Sequence, residues 1–102
     1  ISKSNKVKFK EGMIVSNEPG YYENGKFGIR IENLITVKRN KNSYKFEDLT
    51  FAPIDKSLIN KKLLNKNEIN WLNNYHYKVY NNLKKFMNKS ELNDLKNHCS
   101  NI

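Results

Sequence analysis

Residues 13–37 read MIVSNEPGYYENGKFGIRIENLITV, and they carry the signals that define the β part of the chain. Met13 to Val15 begins a short β-strand, which we expect Pro19-Gly20 to close. Asn24-Gly25 is a strong signal for a hairpin turn. The second strand of the predicted hairpin runs from Phe27 to Val37.

Glu18 and Glu32 lie at equal distances in sequence from Gly25. Paired residues of an antiparallel hairpin have residue numbers with a constant sum. A three-residue loop therefore places the two glutamates directly opposite each other, whereas a two-residue loop turns them to opposite faces. Directly opposite Cβ atoms are about 4.5–5.5 Å apart. Two carboxylates so close repel, and one binds a proton unless a cation lies between them.

Arg30 shares the face of Glu32 and supplies part of that positive charge. Two interpretations stay open here. The acids are ordinary solvated residues of a hairpin edge with Arg30 in a surface ion pair, or they are ligands of a divalent metal. Two carboxylates are too few to hold a metal tightly, so a metal site needs further ligands from outside this chain.

The chain changes character near residue 55. All four glycines and both prolines precede that point, and the remainder contains neither residue. Tyr44 to Phe51 predicts a third strand, which ends before Pro53. A β part followed by an α part indicates the α+β class.

The α part begins with a capping box, because Glu68 follows Asn65 at the spacing of that motif. We predict a helix from there to about Met87 and a second, short helix capped by Ser90. The apolar face of the long helix consists of Ile69, Leu72, His76, Val79, Leu83 and Phe86.

Composition excludes several classes of protein. The 102 residues carry 19 Lys+Arg against 10 Asp+Glu, a net charge of +9. Lys is 17 of those 19, and 18 Asn accompany it, as in AT-rich coding sequences, so the charge is weak evidence for nucleic-acid binding. No apolar run reaches the roughly 20 residues of a membrane span. The single Cys99 excludes an internal disulfide and favours a reducing compartment.

Two blocks of the chain resemble a known family. Residues 11–22 and 25–33 strongly resemble the last metal-binding stretch of the Xaa-Pro aminopeptidase (aminopeptidase P) family, whose members have the pita-bread metallopeptidase fold. Residues 49–54 and 71–76 are similar to the C-terminal extension of its long eukaryotic-type members. The resemblance implies an α+β chain that forms the C-terminal part of the pita-bread (creatinase/aminopeptidase) fold. Residues 1–55 would end the catalytic domain, and residues 56–102 would form a helical C-terminal extension.

The resemblance also implies roles for individual residues. Glu18 matches a glutamate that binds one of two divalent metal ions, Mn²⁺ in most members, and it is implied to act in catalysis by shuttling a proton. Glu32 matches the glutamate that bridges both ions. Arg30 matches an arginine that neutralises and orients a ligand carboxylate. Tyr21 and Tyr22 match positions in the wall of the substrate pocket.

Other ligands of this family, two aspartates and a histidine, come from earlier in its chain, so we expect the 102 residues alone to be inactive. His76 and His98 belong to the helical tail and are not interpreted as ligands. The chain begins without Met and runs at once into a strand pattern. We interpret it as the C-terminal part of a longer protein, whose targeting signals lie outside it.

The implied function is removal of the N-terminal residue from peptides with proline in second position, by a cytoplasmic enzyme that forms a homodimer through the helical tail. Alternatives within the fold are a prolidase-type dipeptidase and a non-catalytic relative. A remote alternative is a basic nucleic-acid-binding module, but Ile29 and Ile31 stand where its stacking aromatic residues are required. We expect neither a nucleic acid nor a membrane as partner.

Overall fold

A computed structural model describes residues 5–102 and divides the chain into two compact units. The first unit extends to Thr50, and the second runs from Phe51 to Ile102. All described strands belong to the first unit and all described helices to the second. The predicted α+β class is confirmed.

The first unit contains five strands. They are β1 (Ile14–Asn17), β2 (Gly20–Glu23), β3 (Phe27–Arg30), β4 (Asn33–Asn40) and β5 (Ser43–Asp48). β1, β4 and β5 form an antiparallel sheet in the order β1-β4-β5, while β2 and β3 form a two-stranded ribbon. Ile35 and Val37 of the central strand β4 are buried in this unit.

The predicted hairpin is present, but each of its arms contains two strands. β1 and β2 form one arm, and β3 and β4 form the other. The first strand, β1, ends at Asn17, just before Pro19-Gly20, as expected, but a further strand that was not expected, β2, begins at Gly20 in the same arm. Pro19 has no N–H to donate to the opposite strand, although its carbonyl accepts a hydrogen bond from the Ile31 N–H at 3.1 Å.

One register runs through both parts of the hairpin. The residue numbers of every pair in β1·β4 and in β2·β3 add up to 50. The last pair before the turn is Glu23 with Phe27, so the loop has three residues. Gly25 in its middle adopts a φ of +71°, which favours glycine.

The second unit is helical. Two short 3₁₀ turns, Lys56–Leu58 and Lys61–Leu63, precede α1 (Lys66–Leu83), and a third 3₁₀ turn, Lys84–Phe86, links α1 to α2 (Lys89–His98). The predicted long helix is confirmed. No helix in the described part of the chain is long and apolar enough to cross a membrane.

Both α-helices begin with a capping box. The Asn65 side chain accepts hydrogen bonds from the first turn of α1, and the Glu68 carboxylate accepts one from the Asn65 N–H at 2.8 Å. The same arrangement of Asn88 with Glu91 begins α2. The prediction that Ser90 caps this helix is therefore wrong. Asn88 has the required glutamate three residues later, and Ser90 lies inside the first turn.

The inner face of α1 matches most of the predicted apolar face. Leu72, His76 and Val79 are buried, but Phe86 is 72% exposed because the helix has already tightened into a 3₁₀ turn there. Tyr75 was not part of the predicted face, yet it is only 4% exposed. With Val79 and Leu95 it forms the centre of the core of this unit.

Tyr75 and His76 hold the segment around Pro53 by its backbone. The Tyr75 hydroxyl donates to the Ala52 carbonyl at 2.8 Å, and the His76 Nε2 accepts from the Ile54 N–H at 3.1 Å. Pro53 lies between Ala52 and Ile54 and has no N–H of its own. The two bonds satisfy the Ala52 carbonyl before it and the Ile54 N–H after it. Two consecutive helix residues therefore fix the start of the second unit against α1.

Candidate metal centre

The common register places Glu18 opposite Glu32. Asn17 pairs with Asn33 on one side of them and Gly20 pairs with Arg30 on the other, so the break in the β-pairing leaves the register unchanged. The three-residue loop thus selects the first of the two registers considered from the sequence. Because side chains alternate along each strand, one face of the hairpin carries Glu18, Gly20, Tyr22, Gly28, Arg30 and Glu32.

Arg30 lies beside the two carboxylates, as the sequence predicted. One of its terminal nitrogens is 3.9 Å from the Glu18 Oε2, and both side chains are about half exposed. A hydrogen bond with the Tyr22 hydroxyl raises the pKa of Arg30, and the charges of Glu18 and Glu32 raise it further. The guanidinium is therefore a permanent positive charge next to two negative ones.

Tyr22 holds Arg30 in this position. The Arg30 Nε donates a hydrogen bond to the Tyr22 hydroxyl at 2.7 Å. We did not predict this contact, although the register contains the signal for it. Tyr22 pairs with Gly28, which makes Arg30 its diagonal neighbour on the same face, within reach of a long side chain.

Tyr21 lies on the opposite face of the ribbon. Its ring centroid is 6.1 Å from that of Phe27, and the same face exposes Ile29 and Ile31. The structure therefore brings Tyr22 together with the glutamates and does not bring Tyr21 to them. The ribbon has one polar face and one apolar face, and both are exposed in the described part of the chain.

The donor atoms on the polar face suit a hard divalent cation. Carboxylate oxygens are preferred ligands of Mg²⁺, Ca²⁺ and Mn²⁺, and Glu18 and Glu32 present theirs on one side of the hairpin. Within residues 5–102, no group of three or more His, Cys, Asp or Glu side chains could hold a metal ion. The two glutamates alone are too few to hold a metal ion, so a metal site that used them would need ligands from outside these residues.

Two family models match consecutive parts of the chain. Residues 1–39 match metallopeptidase family M24, and residues 42–102 match the C-terminal region of peptidase_M24. The chain therefore belongs to metallopeptidase family M24 and contains the C-terminal region of that family.

Curated relatives carry a more specific name. The chain is 49% identical over 82 residues to a probable Xaa-Pro aminopeptidase P of Tuber melanosporum and 45% identical over 82 residues to one of Talaromyces marneffei. Each match covers 72% of this chain but only 13% and 12% of the two relatives, respectively. The resemblance to the aminopeptidase P family is confirmed, and the chain spans about one eighth of the length of these relatives.

A solved structure has the same fold. It is the crystal structure of X-prolyl aminopeptidase from Caenorhabditis elegans, described as a cytosolic enzyme with a di-nuclear active site. The two superpose with a TM-score of 0.81 at 32% sequence identity, over 99% of this chain and 18% of the other. The predicted fold, the C-terminal part of a pita-bread structure, is confirmed.

Proposed function

We propose that this chain is the C-terminal segment of a metal-dependent aminopeptidase that removes the N-terminal residue from peptides with proline in second position. The observation that carries the proposal is the pair of facing carboxylates, Glu18 and Glu32, beside Arg30 in an M24 chain. The names of its relatives support the choice of substrate. In this proposal residues 1–55 end the catalytic domain and residues 56–102 form its helical C-terminal extension.

The proposed roles follow from the positions of the side chains. Glu18 is a ligand of one divalent ion, and Glu32 is a ligand shared by two, which we propose to be Mn²⁺. When bound, such ions make hydroxide available near neutral pH and polarise the scissile carbonyl. Glu18 would also be placed to shuttle a proton as a general acid or base.

Arg30 balances the negative charge of the ligands and orients the Glu18 carboxylate through the 3.9 Å contact. Tyr22 keeps Arg30 in place and borders the substrate pocket next to the glutamates. Tyr21, on the apolar face, belongs to the wall of that pocket only if the rest of the protein brings substrate to that side. The remaining ligands lie outside residues 1–102, so this chain alone is inactive.

The test compares Glu32→Gln with Glu18→Gln in the full-length protein. Because a bridging ligand serves both ions, Glu32→Gln should lose more activity and more bound metal than Glu18→Gln. Metal content per subunit and turnover of an Xaa-Pro-Xaa peptide measure this difference. Glu23→Gln is the matched control, since Glu23 is engaged with Lys26 at the loop. Full activity and two metals per subunit in Glu32→Gln contradict the proposal.

The same assay distinguishes the proposed aminopeptidase from other members of the fold. An aminopeptidase P cleaves Xaa-Pro-Xaa peptides, whereas a prolidase-type enzyme cleaves only Xaa-Pro dipeptides. A full-length protein that binds metal and cleaves neither is a non-catalytic relative. The names of the curated relatives, each a probable Xaa-Pro aminopeptidase P, support the first of these outcomes.

We also propose that the full-length protein is a cytoplasmic homodimer that binds no nucleic acid. Trp71 supports the dimer, because its side chain is 59% exposed and its ring stacks on Tyr75 with centroids 5.6 Å apart. A large exposed aromatic side chain braced by a buried one is typical of a protein–protein contact. The solved X-prolyl aminopeptidase of Caenorhabditis elegans, described as a cytosolic enzyme, supports the compartment.

A further inference from the structure

The ring of Tyr22 lies flat across the backbone of two glycines. A Cβ atom added to Gly28 would be 2.6 Å from the Tyr22 Cδ1, and one added to Gly20 would be 2.7 Å from the Tyr22 hydroxyl oxygen. Real Cβ atoms essentially never approach another heavy atom within 3.0 Å. The ring therefore occupies the space that side chains at these two positions would need.

Backbone conformation does not explain these two glycines. Gly12 and Gly25 have positive φ angles of 83° and 71°, which favour glycine by themselves. Gly20 and Gly28 are absent from the positive-φ residues among 5–102, so the backbone at both positions is open to any L-residue. What both positions share is the aromatic ring above them.

The flat ring determines where its hydroxyl ends. From this position the hydroxyl accepts the hydrogen bond of the Arg30 Nε at 2.7 Å, and Arg30 in turn lies 3.9 Å from the Glu18 carboxylate. A ring lifted from the ribbon by even one methyl group would carry its hydroxyl away from Arg30. The orientation of the Glu18 carboxylate would then no longer be fixed from that side.

We propose that Gly20 and Gly28 are positioning residues of the metal centre, which act by leaving a slot for the ring of Tyr22. They touch neither metal nor substrate, and their effect on Glu18 passes through Tyr22 and Arg30. This inference rests on the proposed function, because it assigns the slot to the metal-binding role of Glu18.

Gly28→Ala in the full-length protein should weaken Mn²⁺ binding by about tenfold or more, the usual effect of disturbing a group that orients a metal ligand. Gly20→Ala should act in the same direction, since its methyl group would meet the hydroxyl itself. Titration calorimetry with Mn²⁺ alone measures both affinities without reference to activity, and thermal melts report the fold.

The decisive comparison repeats Gly28→Ala in a Tyr22→Ala background. The three heavy atoms nearest to the added methyl group all belong to Tyr22. Without the ring, Gly28→Ala should therefore cause no further loss of Mn²⁺ affinity. If Gly28→Ala alone does not fold, the Tyr22→Ala background should restore its folding. Gly25→Ala is the control: its methyl group has open space but a strained φ, so it should lower the melting temperature and leave Mn²⁺ affinity unchanged.

The inference alone is overturned by an unchanged Mn²⁺ affinity in both glycine variants. It is also overturned by an equal loss in Gly28→Ala with or without Tyr22. A wild-type protein that binds no Mn²⁺ overturns the proposed function and this inference with it. Equal losses of affinity in Gly25→Ala and Gly28→Ala assign the effect to strand stability and also overturn the inference.

Discussion

His76 is the residue whose chemistry is most tightly constrained by its surroundings. Its side chain is fully buried, and its Nε2 accepts the Ile54 N–H, so the proton of the neutral ring resides on Nδ1. Nδ1 is buried without a hydrogen-bond partner among the described residues. Protonation would put a second donor at Nε2, facing the Ile54 N–H. Burial, together with the charge of Lys56, lowers the pKa of His76 below its usual 6.5.

This pKa shift predicts that the protein loses stability in mild acid. Below the pKa of about 6.5 of the unfolded chain, His76 binds a proton in the unfolded state but not yet in the folded state. The stabilisation is therefore complete above that pKa and falls as pH decreases toward the folded-state value. Thermal melts between about pH 7.5 and about pH 5.5 should show a steeper decrease for wild type than for His76→Gln, which accepts the same hydrogen bond without titrating.

Other ionisable groups titrate equally in both proteins, so the difference in slope belongs to His76. Parallel curves for wild type and His76→Gln contradict this explanation.

At the scale of elements, the starts of the two α-helices give a sharp prediction. Asn88→Ala removes the side chain that accepts hydrogen bonds from the Ser90 and Glu91 N–H groups, and should cost about 1 kcal/mol of stability. Ser90→Ala is the matched control, because Ser90 contributes its backbone N–H to the box and should cost about 0.5 kcal/mol or less. Urea unfolding measures both values. An equal loss of stability in the two variants would contradict the assignment of Asn88 as the N-cap residue.

Elements with strong local signals were predictable from the sequence. The centre of the hairpin follows from Asn24-Gly25, and the start of α1 follows from Asn65 and Glu68, since each signal acts over a few residues. The facing of Glu18 and Glu32 needed only the loop length in addition.

Features that depend on tertiary contacts were not predictable in this way. Tyr75 is adjacent to the apolar face of α1. Its ring is buried against Val79 and Leu95, and its hydroxyl donates a hydrogen bond to the Ala52 carbonyl. The strand β2 begins directly after Pro19, because the two arms of the hairpin keep the same pairing register on both sides of that residue. Tyr21 and Tyr22 lie on opposite faces of the ribbon, because adjacent side chains of a strand alternate. This could be predicted only if residues 20–23 were already known to form a strand.

For the whole molecule, Trp71 should be a main contact of the proposed homodimer. Trp71→Ala should weaken dimerisation by about 2 kcal/mol, roughly thirtyfold in Kd, as truncation of a central interface aromatic does. Sedimentation and light scattering at micromolar concentration measure the loss. Tyr77→Ala is the control, because Tyr77 is 68% exposed on another side of the same helix.

Tyr75, whose ring stacks on Trp71, is only 4% exposed and belongs to the subunit core. Tyr75→Ala should therefore lower the melting temperature in addition to any change of mass. A wild-type protein that stays monomeric at high concentration contradicts the homodimer.

The constant pairing register of the hairpin also determines where insertions and deletions can be tolerated in it. Adding or removing a codon at 24–26 alters only the loop, and the pairing of Glu23 with Phe27 can persist beside it. Removing one codon from 19–23 or from 27–31 instead reverses the alternation of one arm and carries Glu18 or Glu32 to the opposite face. In-frame deletions should therefore be tolerated at the loop and should abolish function a few codons to either side. Over evolutionary time, this hairpin is free to vary in length at its tip while the spacing from the tip to each glutamate stays fixed.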